Sequence, residues 1–481
     1  MAKYNSRGAR LTALALATGT LVVAGTGQAG AAPIPVPTVF GGEAAGAAIH
    51  LEINLPVPVA IPGVGDLTKI VQDISLVDGS TEKGVQPVTK SVATAVLGDG
   101  SIKALNDILG LRVQSSLDGQ SSASDALVSQ NLGIIKLGAG EITSSVLPDS
   151  ATSGLTSSST SQLLGLEIGL GALPADLPLK ADLDGALDTV AETVDGTVGS
   201  VSEAVDSALA VLDEASQGAT APVVAQVEAV KQELVNLLDS LTDTVANLDA
   251  NTNLVELGLL KSTEHITRAG SMVTAKATSE VVGLKVLGDL VTLDGVKTES
   301  VSSANGSKGA AAADTLTTIL GLKVGEVLDL KLTSEGLEGT IAGNALPDVA
   351  KDAIQDVITA VNGVLAAAGV QIINGQTDSV VDPDGKFARS SSEGVGIVVN
   401  PLKAAAPLVK IQLVPAGTAV NAAHVPTVKP PVVKPPAVNP PPARPDAPLA
   451  RTGVELPLFA VFGTGLAGLA MVARRRRTVE G

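Results

Sequence analysis

The side chains that most often carry chemistry are few in this sequence: three histidines, His50, His265 and His424, and no cysteine. Without thiols there is no thiolate nucleophile, no disulfide and no Cys-ligated metal. No histidine has a second one within metal-ligand spacing, and Glu264-His265 is the one acid–histidine neighbour pair. Neighbours in sequence need not face each other, so a surface pair is the expectation there. The serines occur in no G-x-S-x-G elbow, which leaves them as solvated strand and loop residues rather than nucleophiles. Ser303 to Gly309 is glycine-rich and holds Lys308, but its spacing is not that of a phosphate-cradling loop. One cluster has the chemistry of a hard-cation site, Asp382-Pro383-Asp384-Gly385, with Asp378 before it and Glu393 beyond. Two carboxylates flanking a tight turn could offer oxygens to Ca²⁺. The twelve-residue calcium loop is incomplete, however, and a Pro-Asp-Gly turn between two strands accounts for the same residues. Asp382 and Asp384 are thus weak metal candidates, and no catalytic residue and no cofactor is expected.

The body that must position these residues has an unusual composition. Aromatic residues make up 1 % of the 481, and Phe40 and Phe387 are the only ones between the two ends of the chain. Any core must therefore come from Val, Leu, Ile and Ala, and aromatic platforms for sugars or bases are missing. The net charge is −17, and setting aside the two basic ends, at +3 and +2, leaves about −22. A surface of that sign repels nucleic acid and anionic lipid.

The expected fold is mainly β with a helical insertion (α+β), an antiparallel, sheet-rich body. Ala48 to Leu55 alternates apolar and polar residues as a strand with one buried face, and Pro56, Pro58 and Pro62 are expected to break it. A short motif recurs as ILGLRV at 108–113, LLGLEI at 163–168, VVGLKV at 281–286 and ILGLKV at 319–324. Its unequal spacing excludes a fixed-period solenoid and points to hairpins packed as sandwiches or partly wound sheets. Between the second and third copies, apolar residues step by three and four from Leu183 to Leu212 and again from Val223 to Leu248. That is a helical hairpin, with Pro222 suited to a first turn. A further helix is predicted over Pro347 to Ala368, stopped by Gly369, and Val409 to Val414 closes the body. The organisation expected is a β-rich domain in two parts, 32–180 and 251–414, interrupted by the hairpin at 181–250 and carrying one helix at 347–368.

The two ends are of different character. Lys3, Arg7 and Arg10 precede an apolar run from Leu11 to Gly25 and a small-residue site at Ala29-Gly30-Ala31, the pattern of a signal peptide (1–31) cut by signal peptidase at Ala29 and Ala31. From 415 to 448 proline dominates, predicting a disordered, extended spacer that reaches roughly 100 Å at about 3.1 Å per residue. Leu449-Ala450-Arg451-Thr452-Gly453 follows, then an apolar run from Val454 to Ala473 and four arginines, Arg474 to Arg477. As a helix at about 1.5 Å per residue, 454–473 spans roughly 30 Å, the thickness of a bilayer core, and the arginines would keep the tail cytoplasmic.

Pentapeptide, apolar span and basic tail in that order (449–481) resemble the cell-wall sorting signal of Gram-positive surface proteins. That resemblance implies cleavage by a sortase between Thr452 and Gly453 and transfer of the Thr452 carboxyl to an amine of the peptidoglycan precursor. Ala450 stands where proline is usual, and the LAxTG form resembles substrates of a sortase class found in high-GC actinobacteria. The body is loosely similar to actinobacterial "choice-of-anchor" surface proteins. The function implied is structural display or adhesion at the cell wall by a chain that is not itself an enzyme. Its partners would be a sortase, peptidoglycan bound covalently, the membrane transiently through 454–473 and an unknown host or cell-surface ligand, with no nucleic acid. The alternative is a wall-anchored extracellular enzyme or solute-binding protein whose site is assembled from residues distant in sequence.

Overall fold

A computed structural model describes residues 39–61, 65–83, 89–100, 106–107, 110–149, 154–169, 178–217, 221–246, 252–324, 328–333, 336–339, 348–401 and 405–424. In chain order the elements are β1 (Val39–Ile61), β2 (Gly65–Lys83), β3 (Thr89–Gly100), β4 (Arg112–Ser116), β5 (Ser122–Leu127), β6 (Gln130–Asn131), β7 (Ile135–Leu137), β8 (Gly140–Asp149) and β9 (Gly154–Gly169). Two helices follow, α1 (Pro178–Ser216) and α2 (Ala221–Ala246), and then β10 (Asn253–Ala269), β11 (Met272–Val286), β12 (Val291–Ala304), β13 (Ala312–Val324), β14 (Leu328–Thr333) and β15 (Gly336–Gly339). Helix α3 (Asp348–Ala367) precedes β16 (Val370–Asn374), β17 (Thr377–Val381), β18 (Phe387–Ser392), β19 (Val395–Val399), β20 (Val409–Leu413) and β21 (Ala416–Ala423). The protein is mainly antiparallel β, with the helical hairpin where the three-and-four spacing put it.

The described strands fall into two antiparallel sheets. One, sheet A, holds β1–β4 and β16–β21; the other, sheet B, holds β5–β15. They pack face to face as a sandwich, β1 over β10 and β11, β2 over β9 and β10, β21 over β11 and β12, and β18 over β12 and β13. The first and last described strands meet in sheet A, where β1 pairs with β21 from Val39↔Ala423 to Gly46↔Ala416 and with β20 from Ile49↔Leu413 to Ile53↔Val409.

The recurrent motif has a geometric meaning. Copies at 163–168, 281–286 and 319–324 lie on β9, β11 and β13, and their glycines take positive φ, 89° at Gly165, 71° at Gly283 and 57° at Gly321. Pairing aligns Leu164, Leu259, Val282, Gly295 and Leu320 across five strands. On each strand the buried parity switches at this line: odd residues face inward up to Leu163 on β9, and even ones from Leu166 onward. Each strand thus carries one extra residue, a bulge, and because all five carry it the register survives. Sheet A has the same line at Ser75 (φ 58°), Val414 (φ 51°) and Gly394 (φ 72°), where β20 passes into β21 and β18 into β19. A transverse crease therefore divides the sandwich into two halves.

On one side of the crease the inward residues are small and hydroxylated: Ala44, Ala275, Ala277, Ala304, Ala388 and Ala422 form a cluster with Phe40 and Val420. Ser157, Ser159, Ser161, Ser300, Ser302 and Ser390 are buried among them. The serines expected to be solvated thus include a buried set, because alternation in Ser/Thr/Ala strands turns every second hydroxyl toward the opposite sheet. They bond across it: Ser75 Oγ donates to Ser161 O at 2.6 Å, Ser161 Oγ to Val96 O at 2.9 Å, Ser115 Oγ to Ser144 O at 3.0 Å and Ser300 Oγ to Ser390 O at 3.1 Å. A one-atom hydroxyl spans the gap only where two sheets approach more closely than the usual 10 Å or so. Glycines confirm the approach, since a Cβ on Gly42 would lie 2.8 Å from Ile266 Cγ2 and one on Gly46 2.7 Å from Ser279 Oγ.

On the other side the inward residues are Leu, Ile and Val, among them Ile49, Leu51, Ile53, Ile70, Leu166, Ile168, Leu257, Val286 and Ile397. They form one apolar cluster with Val201, Val205 and Leu212 of α1, Val227, Leu234, Leu237 and Leu241 of α2, and Val357, Val361 and Leu365 of α3. Helix α1 packs on both α2 and α3, and the three reach the sheets at β1, β14, β15 and β16. This is the support that a helix containing Gly185, Gly196 and Gly199 requires. Thr189, Thr193 and Thr197 each bond the carbonyl four residues back, at 2.6–2.7 Å, so no hydroxyl in that row is left to compete with the helix.

Two boundaries differ from expectation. Strand β1 continues through Pro56 and Pro58 to Ile61 instead of breaking, with a register irregularity between Asn54 and Val59. β20 pairs with β1 only as far as Ile53, so the prolines remove donors from an edge that no longer needs them. The body also does not close at 414: residues 416–423, assigned above to the spacer, form β21, whose small alternating residues Ala416, Thr418, Val420 and Ala422 fit the close-packed half.

Candidate functional site

Asp382 and Asp384 lie in the turn that joins β17 to β18. Asp382 Oδ1 accepts from the Asp384 amide at 3.1 Å, its Oδ2 accepts from the Lys386 amide at 3.3 Å, and its carbonyl closes the turn to Gly385 N at 2.9 Å. Lys386 Nζ reaches Asp384 Oδ2 at 3.4 Å, Arg389 pairs with Asp378 at 2.6 Å, and Glu393 faces the Gln376 amide at 3.4 Å. The carboxylates thus hold their own loop and two neighbouring cations, and the structure does not converge them on a common point. Among the described residues no group of three or more His, Asp or Glu is gathered in metal-holding geometry.

The Glu264-His265 neighbours are split by the pleat. His265 is on the outer face, opposite Lys276 on β11 and Ser158 on β9, and burial together with the Lys276 charge lowers its pKa. Glu264 points inward, 1 % exposed, against Gly79 of β2, where a Cβ would collide with its carboxyl group. Neither of its oxygens, nor the Ser157 or Ser159 hydroxyl, has a partner at hydrogen-bond geometry among the described residues. Burial pushes the Glu264 carboxyl up to about 8; the Ser159 and Ser157 hydroxyls beside it offset part of that and Asp78 adds to it. An acid kept neutral between two sheets could donate a proton, but nothing concave gives a substrate access to it.

Sequence reasoning also missed a pair. His50 Nδ1 meets Asp73 Oδ1 at 2.5 Å on the outer face of sheet A, next to Glu52–Lys69 at 3.0 Å. His50 and Asp73 are direct cross-strand partners on β1 and β2, whereas Glu52 lies opposite Val71 and reaches Lys69 diagonally; only the register brings residues 23 apart together. Such half-exposed pairs are a solvated charge ladder. His424 lies just beyond β21, against Gly306.

An apolar void of about 10 Å³ lies between the sheets, lined by Leu284, Leu293, Leu322, Ile372 and Ile397. An open depression of about 420 Å³ lies over β5, β8 and β9, lined by Asp125, Leu127, Glu141, Gln162 and Leu164. Ala29, Ala31, the spacer from 425 onward and the residues from Leu449 to Gly453 lie outside the described residues, as does the apolar run 454–473; among the described ones no helix is long and apolar enough to cross a membrane.

No family model matches the chain, and no curated protein matches it. Among solved structures it is similar to two Pseudomonas aeruginosa proteins, OccK9 (OpdG), at 6 % identity over 79 % of this chain and 96 % of that one, and OccK7 (OpdD), at 8 % identity over 80 % and 99 %. The TM-score is 0.10 in both cases, too low to carry an argument.

Proposed function

We propose that this chain is a cell-wall surface protein of an actinobacterium, exported through residues 1–31 and fixed to peptidoglycan by a sortase at Thr452, whose body is displayed in a structural or adhesin-like role. The observation that carries the reading is the order of Leu449-Ala450-Arg451-Thr452-Gly453, the apolar run 454–473 and the arginines 474–477. In the chemistry proposed, the Thr452–Gly453 peptide bond breaks, Thr452 forms an acyl bond to the sortase, and a peptidoglycan amine then displaces the sortase. A cysteine-free body with acidic net charge and hydroxyl-bonded sheets supports a display role, because it needs no oxidising partner to fold.

Walls digested with a muralytic enzyme should release the protein with a C-terminal peptide that ends at Thr452 and carries wall fragments, as read by mass spectrometry. An intact tail through Gly481 in the membrane fraction would overturn the proposal. Thr452→Ala should move the protein from the wall to the membrane and medium.

A further inference from the structure

The two sides of the close-packed half end differently. On one side the chain itself crosses between sheets, from β4 to β5, with Ser116 N bonding Gln120 O at 3.0 Å and Val146 N bonding Ser121 O at 2.8 Å. On the other side β13 and β17 are stacked edge strands. β17 lies over β13, and Thr317 Oγ1 meets Ser392 Oγ between the sheets at 2.9 Å. Among the described residues β13 has a ladder partner on one side only from Ala312 to Gly321, and β17 pairs only with β18. Beyond the crease this same side is covered, since β14 and β15 continue sheet B past β13 and approach β16.

Natural sheets protect open edges with lysine, proline or inward charge. Here Ala312 to Gly321 contains neither lysine nor proline and a single charge, Asp314, while Leu316 and Leu320 are 62 % and 58 % exposed. Every residue of β17 is exposed, Val380 and Val381 included.

We propose that this double edge is the site where a second copy of the chain docks, β13 pairing antiparallel with its mate and β17 with its own, so that both sheets run on across the dimer. A lone extended peptide can cover only one edge. A second copy covers both, because one two-fold axis normal to the sheets makes both pairings antiparallel at once. The strands lie level for this: Ser379 is opposite Ser390 on β18, Ser390 Oγ bonds Ser300 Oγ at 2.6 Å, and Ser300 is opposite Thr315. An axis through Ser379 therefore passes close to Leu316. Leu316 then faces Leu316 of the second copy and Thr318 faces Asp314, which keeps the two Asp314 carboxylates apart; on the other sheet Asp378 faces Val380.

The absence of native cysteine supplies a direct test. Residues opposite each other in an antiparallel pair have Cα atoms about 4.5–5.5 Å apart, within disulfide range. Full-length protein in detergent should sediment as a dimer, and Leu316→Cys should cross-link on mild oxidation while Leu164→Cys, on a central strand of the same sheet, should not. Leu316→Lys combined with Val380→Lys should give a monomer whose far-UV circular dichroism is unchanged. A wild-type monomer at 100-fold dilution intervals up to about 0.1 mM, or a dimer that survives the double lysine variant and cross-links equally through Leu164→Cys, would overturn the proposal.

Discussion

The two halves of the sandwich solve the same problem with opposite materials. Beyond the crease, long aliphatic side chains hold the sheets apart and three helices fill the space, so stability there follows apolar area removed from water. On the near side larger aliphatic side chains such as Ile266, Val273 and Val420 are fewer, and Ala, Gly and Ser let the sheets approach until hydroxyls of one reach carbonyls of the other. The lesson is that a chain with two body phenylalanines and no tryptophan can still bury the facing sides of two large sheets, with many of the buried hydroxyls bonding across the gap. The serines of the near half are in that sense its core.

The comparison breaks most readily at Glu264, the one carboxyl buried between the closely packed sheets without a hydrogen-bond partner among the described residues. Its folded pKa, near 8, lies above that of an unfolded glutamate, so the folded protein holds its proton more tightly. That contribution is fully present below the unfolded value near pH 4.5 and is lost as pH rises through about 8. Denaturant unfolding should show stability falling across that window by about 4 kcal/mol from this group, and Glu264→Gln should flatten the profile. A profile unchanged by Glu264→Gln would show that the carboxyl is solvated.

Truncation and addition should act in opposite senses on the two halves. Leu237→Ala on α2, which leaves a cavity in the aliphatic half, should cost about 3 kcal/mol in chemical denaturation. Adding one methyl group, as in Gly42→Ala, should cost about 1–2 kcal/mol against Ile266, although such a change normally stabilises a strand by reducing unfolded-state entropy. Gly196→Ala on α1, where nothing lies within 4 Å, should stabilise by about 1 kcal/mol. Equal responses at the two glycines would remove the distinction between the halves.

The aliphatic half was largely legible in the sequence, because Val, Leu and Ile report their own periodicity: Leu183 to Leu212 and Val223 to Leu248 gave α1 and α2, and Ala48 to Leu55 gave the middle of β1. The near half was not. Gly41 to Ala47 and Ala416 to Ala423 have mostly small residues on both faces, so alternation leaves little hydropathy signal and turn-like composition dominates. The motif glycines were visible as a repeat, but their use as a parity switch needs the register of neighbouring strands, which local sequence does not contain. Of the candidate sites, the Asp382 turn was readable from Pro-Asp-Gly alone. The burial of Glu264 followed from a face assignment that Ser and Thr neighbours conceal.

The last strand also sets how the body would bear load. A pull applied beyond His424 enters β21, which is bonded along one edge to β1 and along the other to β18. Force along such a strand shears two ladders at once, so their hydrogen bonds share the tension instead of opening one by one. An end strand placed inside a sheet is in mechanical terms a clamp, and the chain keeps its clamp next to the segment by which it would be tethered.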